Sequence, residues 1–300
     1  MNSSTARRTT RAISMIVLAA FLFAMMDSAA KYMGFLSAFL VMWSRYAIQT
    51  AIMAVCILST RGHRGLRATH PRFQILRGAL LVTASTLSFY GMRQMPLAEF
   101  TAIIMLAPLL VTAATHLLRY ESVSPLRWAF VFGGFLGTLV VIRPGSGLFG
   151  AAVVLPLLTM MTLAAYSLLT SRIAAMDHPH TSQFYTGMTA TLALTPLLLM
   201  QADTLPAVLH ALTPLHIVLL LAMGLLGTIG HLLVVTAFGS AGAATLMPFT
   251  YSQIGFAAIM SWVVFHHAPD SWAWVGMLMI AACGAASAWA GMREAKKASP

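Results

Sequence analysis

The stretch PLAEFTAIIMLAPLLVTAATHLLRYESVSPLRWAFVFGGFLGTLVVIRP, from Pro96 to Pro144, decides how this chain is read. Two apolar runs, 97–118 and 126–142, flank a short hinge that holds Arg119, Glu121 and Arg127. Each run approaches the roughly 20 residues that a helix needs to cross a bilayer. A weaker copy follows 146 positions later, where Glu121-Ser-Val-Ser-Pro-Leu-Arg-Trp128 is echoed by His267-Ala-Pro-Asp-Ser-Trp-Ala-Trp274. Both copies follow a long apolar run and precede one rich in Gly and Ala. The chain therefore divides into two related halves, 1–147 and 148–300.

Working outward, nearly every window of that length is apolar. Apolar residues make up 59% of the chain and charged residues 8%, against about 25% charged in a soluble domain. This composition predicts an all-α integral membrane protein. The first apolar run follows Arg7, Arg8 and Arg11 and lacks a small-residue cleavage site ahead of a soluble domain, so it reads as a retained helix. The net charge of +11 is a membrane signature and not a nucleic-acid one, because no long basic face or soluble domain carries it. Cys56 and Cys283 fall inside apolar runs, and no disulfide framework is indicated.

Ten apolar runs are expected to span the membrane: 12–34, 37–59, 73–94, 97–118, 126–143, 150–172, 182–200, 215–236, 242–265 and 271–291. Residues 205–212 suggest a short interfacial helix. With the N-terminus in the cytosol, inside segments hold thirteen Lys and Arg, whereas outside ends hold only Lys31, Arg93 and Arg143. That bias places both termini in the cytoplasm. Five spans per half is an odd number, so the second half enters upside down. The loop after the second run, Arg61-Gly-His-Arg-Gly-Leu-Arg67, is basic, and its counterpart 201–214 has no Lys or Arg. Inverted repeats of this kind build carriers with a site near the midplane.

The residues that carry a resemblance are Phe89-Tyr-Gly-Met-Arg-Gln-Met-Pro-Leu-Ala-Glu99, Ala107-Pro108, Tyr120-Glu121 and Ile142-Arg-Pro-Gly145 in the first half. In the second half they are Gly227-Thr-Ile-Gly-His231, Met247-Pro-Phe-Thr-Tyr251, Trp262, Pro269-Asp270 and Trp274. Together they resemble the two repeats of EamA-type carriers in the drug/metabolite transporter superfamily. One departure is that His266-His267 stands where the second repeat commonly has Gly-Glu. The resemblance implies a transporter of a small organic metabolite, such as an amino acid or a vitamin, in a bacterial inner membrane. It also implies a central cavity lined by the first, third, fourth, sixth, eighth and ninth spans, with no cofactor. Pro108 and Pro248 are expected to loosen the fourth and ninth spans, since each removes a backbone bond. A receptor would need a cytosolic output surface and an intramembrane enzyme a catalytic constellation; the loops are short and no such constellation appears.

Charges inside a bilayer are costly and mark function by default. Asp27 and Arg45 sit at similar depth on consecutive antiparallel runs, roughly 10–12 Å below the outer surface. They are read either as a structural ion pair or as part of the substrate path. In the second reading Asp27 binds a cationic group or takes up a proton, which leaves proton coupling open. Lys31, four residues after Asp27, competes with Arg45 for it. Glu99, three residues after Pro96, suits a helix dipole or lines an outer vestibule. Arg77, one turn into the third run, is expected to snorkel to the cytosolic surface. Tyr90, Tyr166 and Tyr251 are the polar aromatics, with Tyr166 and Tyr251 too deep to be interface anchors and suited to stacking on a ligand. His231 and Gln253 also lie inside their runs; a lone His in a bundle more often bonds a neighbouring helix than carries a proton. The pairs His178/His180 and His266/His267 lack the further ligands of a metal site. Gly133 and Gly137 in the fifth run and Gly284 and Ala288 in the tenth form matching small-residue faces, expected to pack together.

Overall fold

The computed structural model describes residues 3–117, 124–146, 148–173, 176–203, 205–240, 246 and 249–298. The Arg119/Glu121 hinge and Pro248 lie outside these residues. All regular structure among the described residues is helical. Among the described residues twelve α-helices are delimited: α1 (Ser3–Tyr32), α2 (Ala38–Arg61), α3 (Pro71–Gln94), α4 (Leu97–Ile104), α5 (Ala107–Leu117), α6 (Pro125–Ile142), α7 (Val154–Ile173), α8 (Pro179–Leu199), α9 (Leu205–His210), α10 (Pro214–Ser240), α11 (Ser252–Phe265) and α12 (Ser271–Ala298).

Among the described residues eight segments are long and apolar enough to cross a membrane, which makes this a multi-pass membrane protein. Two of the ten expected spans fall short of that measure for different reasons. α8 is 21 residues long but carries His180, Thr181, Ser182, Gln183 and several further threonines. α11 covers 14 residues, about 21 Å of helix against a hydrocarbon core of about 30 Å, and much of the rest of the expected run 242–265 lies outside the described residues. The short α9 falls where an interfacial helix is expected.

The fourth apolar run is broken. α4 ends at Ile104 and α5 begins at Ala107, with Met105 and Leu106 between them. Pro108 has no N–H to give the Ile104 carbonyl, and its ring crowds that carbonyl. The loosening expected at Pro108 is thus a break one turn earlier.

Helix faces that carry Phe132, Phe135, Leu136, Trp262 and Leu278 remain exposed, as a lipid-facing surface requires. Inside, α2 lies along α8 and α6 along α12. α1 packs on α10 and α11, α3 on α7 and α8, α10 on α2, and α4 on α7 and α11. Small residues set the closest approach of α6 and α12. A methyl group at Gly137 would lie 3.0 Å from the Gly276 carbonyl and 2.9 Å from Met279 Cβ, and one at Gly133 2.6 Å from Cys283 Sγ. The expected partner Gly284 is used elsewhere. Its face receives the Tyr251 ring, whose Cζ lies 2.0 Å from where a Cβ would stand.

Candidate functional site

A cavity of about 210 Å³ opens at the centre of the bundle. α1 contributes Phe23, Met26 and Asp27, α2 Met42 and Arg45, and α3 Ser85, Ser88 and Met92. The α4–α5 break adds Met105, α7 Leu163, α10 Met223 and His231, and the first turn of α11 Gln253. Non-helical backbone at this depth is tolerated where it lines a cavity, which is where the break at Met105 lies. Every span that the resemblance implied is represented, and the second span joins them.

Asp27 and Arg45 share this cavity as their depth suggests, yet they are not in contact. Among the described residues the ion pairs within 4.0 Å are Arg127–Glu294, Arg143–Asp270 and His267–Glu99. Each cavity charge is occupied elsewhere. The Gln253 carboxamide is the polar neighbour of the Asp27 carboxylate on the cavity wall. Arg45 Nη1 donates to Ser85 Oγ at 3.2 Å, and the guanidinium lies over the Tyr46 ring at 4.8 Å. Ser85 in turn hydrogen-bonds the Tyr46 hydroxyl at 2.6 Å. Lys31 does not compete for Asp27. Its ammonium caps the end of α3 through the carbonyls of Met92 and Met95 and sits 5.4 Å from the Phe265 ring centroid.

His231 reaches the cavity wall with its ring 5.0 Å from that of Phe23. The three tyrosines do not line the cavity. Tyr90 packs edge-on to Phe89, and Tyr251 is buried against α12 as described above. Tyr166 accepts a hydrogen bond from Arg77 Nη2 at 2.7 Å. Glu99 is 3% exposed and also lies off the cavity, with Oε1 3.3 Å from His267 Nε2. It stands in the first turn of α4, where an acid complements the dipole.

Arg77 departs from expectation. Its side chain does not snorkel; the residue is 2% exposed. Nε donates to Thr170 at 2.9 Å, and Nη1 to the Ser182 carbonyl at 3.1 Å and to Thr186 at 3.0 Å. Those acceptors sit on α7 and α8, so Arg77 ties α3 to both. Threonines within apolar runs were the available signal. The cavity's Ser85 and Ser88 also escaped the sequence reading, although a Ser-x-x-Ser spacing puts two hydroxyls on one face of a helix. So did the thioether wall of Met26, Met42, Met92, Met105 and Met223, because methionines in an apolar run look like core.

A multi-span helical bundle whose polar side chains converge on a central cavity is the architecture of a membrane carrier. Comparison with known proteins makes the class specific. The model of the EamA-like transporter family matches residues 10–143 and 150–286, and the chain belongs to that family. A riboflavin transporter of Brucella anthropi is 27% identical over 82% of this chain and 86% of its own. An S-adenosylmethionine uptake transporter of Rickettsia prowazekii is 22% identical over 81% of each chain. A pseudopaline exporter of Pseudomonas aeruginosa is 26% identical over 92% of this chain and 95% of its own. One crystal structure shares the fold with a TM-score of 0.61 at 18% identity, covering 98% of this chain and 99% of that one. The protein is a membrane transporter.

Proposed function

We propose that the protein carries a small organic metabolite across a bacterial inner membrane by alternating access, with two inverted five-span repeats rocking around the central cavity. The observation that carries this reading is the origin of the cavity's polar groups. Asp27, Arg45, Ser85 and Ser88 come from residues 1–147, and His231 and Gln253 from residues 148–300. A site shared in this way is remade whenever one half moves against the other.

Helix packing supports the repeats. Advancing each helix by five spans turns the α1–α10 contact into α7–α3, the α2–α10 contact into α8–α3, and the α1–α11 contact into α7–α4, all of which occur. An odd number of spans between equivalents reverses the second half, and the cation bias then sets both termini in the cytoplasm. Reporter fusions in loop 201–214 and after α12 should report opposite sides; one side for both would end the inverted arrangement.

The cavity suits a metabolite with an apolar or π-bearing body and a polar head. Five methionines and Phe23 supply a polarizable wall, and the charged and amide groups lie among them. Relatives named for riboflavin and for S-adenosylmethionine carry cargo of this kind. Asp27 is the carboxylate through which a proton would be coupled to transport. Counterflow of labelled riboflavin and S-adenosylmethionine in proteoliposomes tests the reading. Saturable exchange of one of them is expected, and exchange no faster than in protein-free liposomes for both would count against it.

A further inference from the structure

Two arginines lie buried in this bundle without a carboxylate within 4.0 Å, among the described residues, and they meet that problem differently. Arg77 directs Nε, Nη1 and Nη2 to acceptors on α7 and α8. Its charge is spread over four hydrogen bonds that engage all three nitrogens, and the residue does not line the cavity. Arg45 is 5% exposed and stands on the cavity wall. It gives one hydrogen bond from Nη1 to Ser85, and its Nε is buried with no partner.

The side of Arg45 left without a partner is the chemically significant one. Nε and Nη2 form the fork of a guanidinium that matches two oxygens of a carboxylate or phosphate. That edge packs against α10 at Gly227, where a Cβ would stand 3.1 Å from Nε and 3.5 Å from Nη2, and Nε is sealed there. Glycine at 227 lets α10 come this close, and the rocking of one half against the other would draw α10 away and open the fork to a ligand. A buried cation with an unused fork is costly to retain, and the cost is removed when an anionic ligand fills it.

We infer that Arg45 seats an anionic group of the cargo, a carboxylate or a phosphate, through its Nε–Nη2 edge. Asp27 faces the same cavity and meets the cargo's cationic or donor group. This deepens the transporter reading and rests on it for the site, since it specifies which metabolites the central cavity prefers. An acid-bearing molecule is favoured over its acid-free counterpart of the same ring system.

Two matched pairs of probes isolate the acid: S-adenosylmethionine with its decarboxylated form, and riboflavin 5′-phosphate with riboflavin. Binding is measured on the purified full-length protein in detergent by thermal stabilisation and by titration calorimetry. In at least one pair the acid-bearing member should bind about tenfold tighter or better, the scale of a charge-assisted fork. Arg45→Gln should abolish that preference and leave the acid-free member's affinity within about twofold. Arg45→Lys, which keeps the charge and loses the fork, should fold normally and retain only part of the preference. Equal affinity within both pairs, absence of binding by both acid-bearing probes, or a loss in Arg45→Gln that falls equally on both members overturns the inference. The assay does not depend on transport. An acid that binds through Arg45 without crossing proteoliposome membranes would sink the carrier reading and leave this one intact. Rapid counterflow of S-adenosylmethionine or riboflavin 5′-phosphate unaffected by Arg45→Gln would do the reverse.

Discussion

Arg77 on α3 donates to the Tyr166 hydroxyl on α7 at 2.7 Å while its guanidinium lies 5.0 Å from the centroid of the same ring. One tyrosine thus gives the buried cation both an acceptor and a π face. Tyr166→Phe keeps the face and removes the acceptor. A hydrogen bond to a charged group contributes about 1.5–3 kcal/mol, so the variant should unfold at a clearly lower temperature in detergent. Arg77→Gln should cost more, because the acceptors on Thr170, Thr186 and Ser182 lose their donor together. A Tyr166→Phe protein that melts like the parent would show that the hydroxyl contributes nothing.

The α6–α12 seam gives a second expectation. A methyl group at Gly137 meets Met279 and the Gly276 carbonyl, and backbone cannot swing aside as a side chain does. Overpacking of this kind costs about 1–3 kcal/mol. Gly137→Leu should lower the melting temperature while leaving ligand affinity unchanged, since the seam does not line the cavity. Gly284→Ala should also destabilise, through Tyr251, which makes it the control for a different neighbour. An unchanged melting temperature for Gly137→Leu is the adverse result.

At the start of α12, Asp270 Oδ1 accepts from the Ala273 backbone N–H at 2.8 Å, and Oδ2 meets Arg143 Nη2 at 2.6 Å. The Ala273 hydrogen bond, chiefly, and Arg143 hold this carboxyl below its ordinary range. A depressed folded-state value means that the stabilisation is present above the unfolded-state pKa. It is lost as pH falls through the folded-state pKa. Asp270→Ala should cost about 1 kcal/mol at neutral pH through the lost cap. The gap between the two melting curves should close on acidification, and a gap that stays constant with pH would refute the linkage.

The helical membrane class was legible because a lipid-facing surface leaves its mark in composition, and the cavity charges because depth follows from counting residues along a run. Depth is one coordinate, however, and the angle around the helix is another. Asp27 and Arg45 do line one cavity, but Gln253 and Ser85 join them from other helices, which no count along α1 or α2 shows. Arg77 fails for a related reason. Snorkelling is the default for an arginine near a helix end, and it is displaced only when acceptors from other helices converge, here Thr170 and Thr186. The tyrosine rings lie off the cavity, which an apolar run does not reveal, since it does not record whether a ring turns to the cavity or, as with Tyr251, into the gap that Gly284 leaves. The break before Pro108 was the more readable feature, since proline acts through its own backbone.

The last expectation concerns Glu99 and His267, which join α4 to the loop ahead of α12. Glu99 is 3% exposed, one of its oxygens lies 3.3 Å from His267 Nε2, and the other is buried without a partner. Lys31, the neighbouring cation, is engaged with the carbonyls at the end of α3. His267 is therefore the direct partner of a sealed carboxylate, although its own side chain is 45% exposed. Removing one member of such a pair leaves the other uncompensated, whereas removing both does not. His267→Ala should lower the melting temperature, Glu99→Gln should do so less, and the double variant should recover much of the loss. Four proteins melted side by side complete the cycle. Strictly additive losses would reduce the contact to packing.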